Sequence, residues 1–178
     1  MTVSKEKSIM KNSVIYCAAT FILLTLAACG GGGVINPPAK TAVTLKVNLT
    51  GTLPAGTSIS GAAFTLTLPA NVTPLIINNS VAGSVVSLSG TFAGGTQTPP
   101  VYTAATANSP GTLQLSLVNG VPAGITQVGE VATIVLQLAN GVTPTAGDFS
   151  VSAVSVIDAQ LYNTISNMGA NVAAVTLQ

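Results

Sequence analysis

The chain has 178 residues, 48% of them hydrophobic and 5% charged: five lysines, four acids, no arginine and no histidine. A surface that reads nucleic-acid phosphates needs clustered Lys or Arg, so that function is excluded. Polyelectrolyte disorder needs much charge and few apolar residues, the reverse of this composition.

The N-terminus is basic, with Lys5, Lys7 and Lys11 outweighing Glu6, and the fifteen residues from Val14 to Ala28 carry no charge. As a helix this run is about 22 Å long against a bilayer core of about 30 Å, too short for a permanent span. A basic flank, a short apolar run and small residues at its end describe a secretory signal over residues 1–28. Leu26-Ala27-Ala28-Cys29 resembles the lipobox of bacterial lipoproteins: leucine, two small residues, cysteine. The resemblance implies cleavage before Cys29 and acylation of its sulfur, which joins the chain to a lipid bilayer. An ordinary secreted protein with a cysteine at its cleavage site is the alternative. Two or more acyl chains anchor stably where one does not. Gly30 follows the cysteine, where an aspartate tends to retain such lipoproteins at the inner membrane of double-membraned bacteria. The expected address is therefore extracytoplasmic and lipid-anchored, at the outer membrane or cell surface. Cys17 falls within the signal, so the mature chain has no disulfide to lean on.

Removing 28 residues from 178 leaves 150, one ordinary domain's length. Its charged residues are Lys40, Lys46, Glu130, Asp148 and Asp158, two positive and three negative, for a net charge of −1. Residues 29–40 are the lipidated cysteine and a Gly/Pro tether: Gly30 to Gly33 make its first part flexible, and Pro37-Pro38 stiffens the second. A dozen residues of flexible coil span about 20 Å.

Residues 41–178 read as β-structure. Val43, Leu45, Val47 and Leu49 alternate with Thr44, Lys46 and Asn48, and Phe64, Leu66 and Leu68 alternate with Thr65 and Thr67 until Pro69. Period two is the mark of a half-buried strand. Further strand-like runs cover Leu75 to Ile77, Ser84 to Ser89, Thr112 to Val118, Val131 to Leu138, Phe149 to Ile157 and Val172 to Leu177. Gly, Pro and Asn separate them, the punctuation of a sandwich or barrel. Thr91 to Gly111 reads as a long loop with a short strand, and Ala159 to Asn171 as a hairpin or a helical turn. The expected inward rows are the alternating apolar residues of the two strands above, with Leu113, Leu115, Leu117, Ile134, Leu136 and Leu138.

"AFTLTLPANV" (Ala63 to Val72), "GEVATIVLQL" (Gly129 to Leu138) and "AGDFSVSAVSVIDAQL" (Ala146 to Leu161) together resemble cohesin domains, the β-sandwich receptors of cellulosome scaffolds. Ala63 stands where that family often has aspartate, and Leu68-Pro69 replaces its tyrosine-aspartate-proline turn. The resemblance implies an all-β fold, an antiparallel β-sandwich of the jelly-roll, cohesin-like kind shared with some cellulose-binding modules. It does not carry dockerin binding across.

Candidate chemistry is sparse. Glu130, Asp148 and Asp158 are the acids from which a glycosidase-like carboxylate pair would be drawn; their structural roles would be to open a strand, to sit in a turn and to end a strand. Asp148 and Asp158 with loop carbonyls are also the candidates for a calcium site, which takes six or more oxygens. No serine has a histidine to take its proton, and no Cys/His cluster exists for zinc. The expectation is a protein with no catalysis, no metal and no cofactor. Tyr102 and Tyr162 are the candidate carbohydrate-stacking rings, the alternative being that they pack with only the hydroxyl at the surface. The reading that results is a membrane-anchored binding module for a protein partner. A carbohydrate-binding module for a polysaccharide and a self-assembling structural lipoprotein are its alternatives.

Overall fold

The computed structural model describes residues 39–178, so the signal (1–28), Cys29 and the tether as far as Pro38 lie outside the described residues. Ala39–Gln178 forms a compact unit of its own. The alternation that begins at Val43 becomes β1 (Ala42–Gly51), with Val43, Leu45, Val47 and Leu49 all buried. β2 (Ile59–Leu68) does the same with Phe64, Leu66 and Leu68. β9 (Gly111–Val118), β10 (Glu130–Leu138), β11 (Ser150–Asp158) and β12 (Met168–Leu177) are the remaining long strands. Between β2 and β9 lie only short ones: β3 (Val72–Thr73), β4 (Ile76–Ile77), β5 (Ser80–Val81), β6 (Val86–Leu88), β7 (Thr96–Gln97) and β8 (Val101–Thr103).

The long strands form two antiparallel sheets packed face to face. Sheet A runs β12-β1-β10, with β3 and β6 both on the far side of β10. Sheet B runs β11-β2-β9, with β7 and β8 both on the far side of β9. The inner faces bring Leu45 and Ile134 of one sheet over Phe64, Leu66 and Leu113 of the other, in one continuous core. All thirteen residues expected in the inward rows are buried. The antiparallel sandwich is thus the fold of the described residues. The segment from Thr91 to Gly111 contains a 3-10 turn (Gly90–Phe92), β7 and β8, and the stretch from Ala159 to Asn167 is a turn with no helix. No helix among the described residues is long and apolar enough to cross a membrane.

Three arches, over residues 52–58, 119–129 and 159–167, join the sheets at one end. They interlock: Ile59 N donates to Ile125 O at 2.8 Å and Ile125 N to Ile59 O at 3.0 Å, while Ser58 Oγ donates to Ala123 O and Ala159 N to Ser58 O. Buried Asn119 donates its amide to Ile59 O and accepts from Val121 N. The chain enters from residue 39 at the opposite end, where Thr41 N donates to Gln178 O.

Four register shifts break the simple alternation, at Val131 in β10, Ala173 in β12, Ala153–Val154 in β11 and Ser60 in β2. Val131 is the extra residue between Ala132 and Glu130 as they pair with Val47 and Asn48, so both Val131 and Ala132 are buried in succession. In β11, Ala153 and Val154 together oppose Phe64, and Ala153 takes φ +50°. That is the left-handed position glycine usually fills in such bulges.

Candidate functional site

The three acids are each engaged in local structure. Glu130 opens β10 on the outer side of sheet A, where Lys46 Nζ on β1 donates to its Oε2 at 2.9 Å. That bond, a second from Ser89 and the lysine's charge hold the carboxyl below its ordinary range against a smaller opposing effect of burial. Asp148 closes the 3-10 turn Ala146–Asp148: Thr145 N and Oγ1 donate to its Oδ2 at 2.7 and 2.8 Å, and the backbone bond first, then the hydroxyl, lowers its pKa. Asp158, only 2% exposed, ends β11 and builds the next turn, its Oδ1 accepting from Gln160 N at 2.6 Å and Leu161 N at 3.1 Å. Asp148 and Asp158 flank β11, so ten residues of extended chain hold their backbones roughly 30 Å apart, which rules out a shared cation. No group of three His, Cys, Asp or Glu is gathered among the described residues.

The two tyrosines are not brought together. Tyr102 on β8 pairs with Leu113 in the inward row, is half-buried, and lies over Gly111, where an added Cβ would sit 3.5 Å from its ring. Tyr162 is 79% exposed, in the arch after β11 at φ +54°. The two lie at opposite edges of sheet B and toward opposite ends of its strands. Three strand spacings and seven residues of rise put them roughly 25 Å apart, too far for one stacking platform. Cys29, the lipidation candidate, lies outside the described residues.

What the structure adds is a face rather than a residue. The outward rows of sheet B are Thr67, Thr65 and Ala63 on β2, paired with Thr112, Gln114 and Ser116 on β9. Ser150, Ser152 and Ser155 continue the rows on β11, and Val101 and Thr103 on β8. None of these is charged. Lys46 and Glu130 are on the outer side of sheet A, Lys40 precedes β1, and the two aspartates are folded into turns. At the centre of the neutral face lies a shallow depression of about 290 Å3, lined by Thr65, Gln114, Ser116, Pro99, Val101 and Ala153 and lying over β2 and β9 at Phe64 and Leu115, whose side chains are buried on the inner face. The bulge at Ala153 forms one wall. Pro99–Pro100, passing between β7 and β8, forms the other. Val101 is 57% exposed there. The alternation of Thr65 and Thr67 with Phe64 and Leu66 was the available signal for the β2 row. Its assembly with the β9 and β11 rows depends on strand order, which one sequence does not state.

Comparison with protein-family models, with curated proteins and with solved structures finds no match to this chain. The face must therefore be read from its own chemistry. It offers hydroxyl and amide groups around a small apolar centre, with no side chain that donates or takes a proton near neutral pH. Such a surface can hydrogen-bond and exclude water.

Proposed function

We propose that the chain is a lipid-anchored extracytoplasmic binding module that takes a protein partner on the outer face of sheet B. The observation that carries this is the absence of charge from that face, in a domain that keeps its few charges elsewhere. The cores of protein interfaces are depleted in charge, because neutral hydroxyls and amides are desolvated at less cost than ions. Rows of Thr, Ser and Gln around Val101 and Pro99 meet that description. The lipobox pattern at Leu26–Cys29 supports the anchored location, with the outer membrane or cell surface favoured by Gly30. The cohesin-like segment order supports a receptor role, and the departures at Ala63 and Leu68-Pro69 keep dockerin out of it. Catalysis is not part of this reading, since each acid already has a structural task.

The test is capture of partners from the source cell's surface and secreted fractions, with the full chain as bait at low and high salt. The expected result is a defined partner retained at both salts, since a neutral face leaves little for ions to screen, and lost on Gln114→Arg. A partner recovered only at low salt, or one indifferent to Gln114→Arg and Thr65→Arg, would overturn the assignment.

A further inference from the structure

A sandwich has four sheet edges, and an unguarded edge strand presents a row of free N–H and C=O groups that templates further pairing. Three of the four edges here are guarded. The β3/β6 edge of sheet A is made of strands two and three residues long. The β7/β8 edge of sheet B is interrupted by Pro99–Pro100, which have no N–H to offer. The β11 edge is bent at Ala153 and partly covered by its own chain, with Ile165 N donating to Val156 O at 2.8 Å and Asp158 N to Asn163 O at 2.9 Å.

β12 carries one bulge, at Ala173 where β1 passes from Lys46 to Val47, but no proline, no covering segment among the described residues and no break into short strands. It is ten residues long, with no charged residue. Its ladder partner is β1, and no backbone or side-chain hydrogen bond among the described residues reaches its other side. Its inward residues Ala170, Val172 and Val175 are only partly buried, although their partners Leu49, Val47 and Leu45 on β1 are fully so. β11 of the opposite sheet and the short turn before it do approach β12, but no ladder joins β11 to β12. That approach comes from across the sandwich. It narrows the gap between the sheets and leaves the outer hydrogen-bonding groups of β12 without a partner strand.

We propose that β12 is a self-association edge, which pairs antiparallel with β12 of a second copy to join the two A sheets into one. A second copy is the occupant for two reasons. An uncharged strand laid against itself meets no like charge, whereas like charges directly opposite are destabilising; the described residues as a whole carry only two lysines against three acids. The two-fold contact also uses both open edges at once and closes, so it ends at a dimer. The half-exposed row at Val172 and Val175 is then covered by its counterpart. With the two-fold axis perpendicular to the sheet, both B faces point the same way. On the binding function proposed above, the dimer is bivalent, and a partner with two sites gains avidity without any new contact.

The experiment is sedimentation of the full chain in non-ionic detergent, beside the double variant Asn171→Lys/Ala173→Lys and the control Gln114→Lys. Asn171 and Ala173 are exposed on β12, so lysine there leaves the core untouched; should the double variant unfold, Asn171→Lys alone decides. The expected result is a dimer for wild type and Gln114→Lys, and self-association at least about tenfold weaker for the edge variant with its melting temperature retained. A wild-type monomer up to the solubility limit overturns the proposal. So does a dimer that survives lysine on β12, or one broken by Gln114→Lys in its place. Partner capture by a monomeric edge variant keeps the two proposals separate, since loss of the dimer leaves the B face intact.

Discussion

Leu66→Ala is the sharpest test of the core. Leu66 sits mid-way along β2, fully buried, with Leu113 on one flank and Val151 on the other. Truncation removes three methyl or methylene equivalents and leaves a space that neighbours held by two ladders cannot easily fill. Buried Leu→Ala changes cost about 2–5 kcal/mol, more where the site collapses least, and this site is braced on both sides. The expectation is about 3–4 kcal/mol of the roughly 5–15 that stabilise a domain. At roughly 3 °C per kcal/mol for this size, the melting temperature falls by about 10 °C. The neighbouring Thr65→Ala is the control, because Thr65 points out of the sheet into the shallow depression; a surface change of this kind stays within about 0.5 kcal/mol. Chemical denaturation with an unchanged m-value, alongside thermal melts, measures both. If Thr65→Ala costs as much as Leu66→Ala, the inward and outward rows have been assigned the wrong way round.

Gly90→Ala should cost roughly 2–4 kcal/mol, since Gly90 holds φ +54° and an added Cβ would run into Glu130 O and lie 2.7 Å from Glu130 Cβ; a neutral result in denaturant melts would contradict that close approach. Ala153→Gly should raise the melting temperature slightly, because relief of a left-handed alanine at about 1–2 kcal/mol outweighs the entropy of a new glycine at about 0.5–1. Glu130 and Asp148 have folded pKa values below their unfolded ones, so their contribution is complete above the ordinary carboxylate range and lost as pH falls through the folded values; with no histidine in the chain, stability should be flat from about pH 5 to 8 and decline only in acid, and a midpoint near neutrality would refute this. Cys29→Ser should abolish fatty-acid labelling and move the protein from the membrane to the soluble fraction; a wild type that takes up no label sinks the anchor.

How far the fold could be read depended on strand length. β1, β9 and β10 keep enough consecutive alternation for their inward rows to be named residue by residue. β2 was legible only from Phe64, because its first half, Ile59-Ser60-Gly61-Ala62-Ala63, is too small in side chain to show a period. Gly61 is needed there, since a Cβ would lie 2.8 Å from Leu117 O, a cross-strand requirement with no local signature. Between Val72 and Thr103 the strands have two or three residues each, below the length at which alternation means anything; β3, β6, β7 and β8 take their pairing from β10 and β9, while β4 and β5 pair only with each other. Phe92, fully buried in the 3-10 turn, was hidden for that reason. The neutral face was half legible. Composition showed that charge was scarce, but only the strand order shows that the scarcity is total on one face.

That distribution bears on how such a protein avoids indiscriminate association. Charge at the surface is the usual defence against aggregation, and a net charge near zero weakens it. Here the defence has moved from charge to backbone. Pro99–Pro100 denies a donor at one edge, the Ala153 bulge and the Asn163–Ile165 segment occupy another, and very short strands make up a third. Each device removes a place where a strand could add, and none of them needs an ion. Two uncharged surfaces stay open: the outer face of sheet B, where side chains are presented and the backbone is already paired, and the edge of β12, where the backbone itself is presented. A face of side chains can discriminate among partners by shape and hydrogen bonding. An open edge binds through the main chain, which every protein shares, so it is the surface that a second copy must cover if the first is to stay specific.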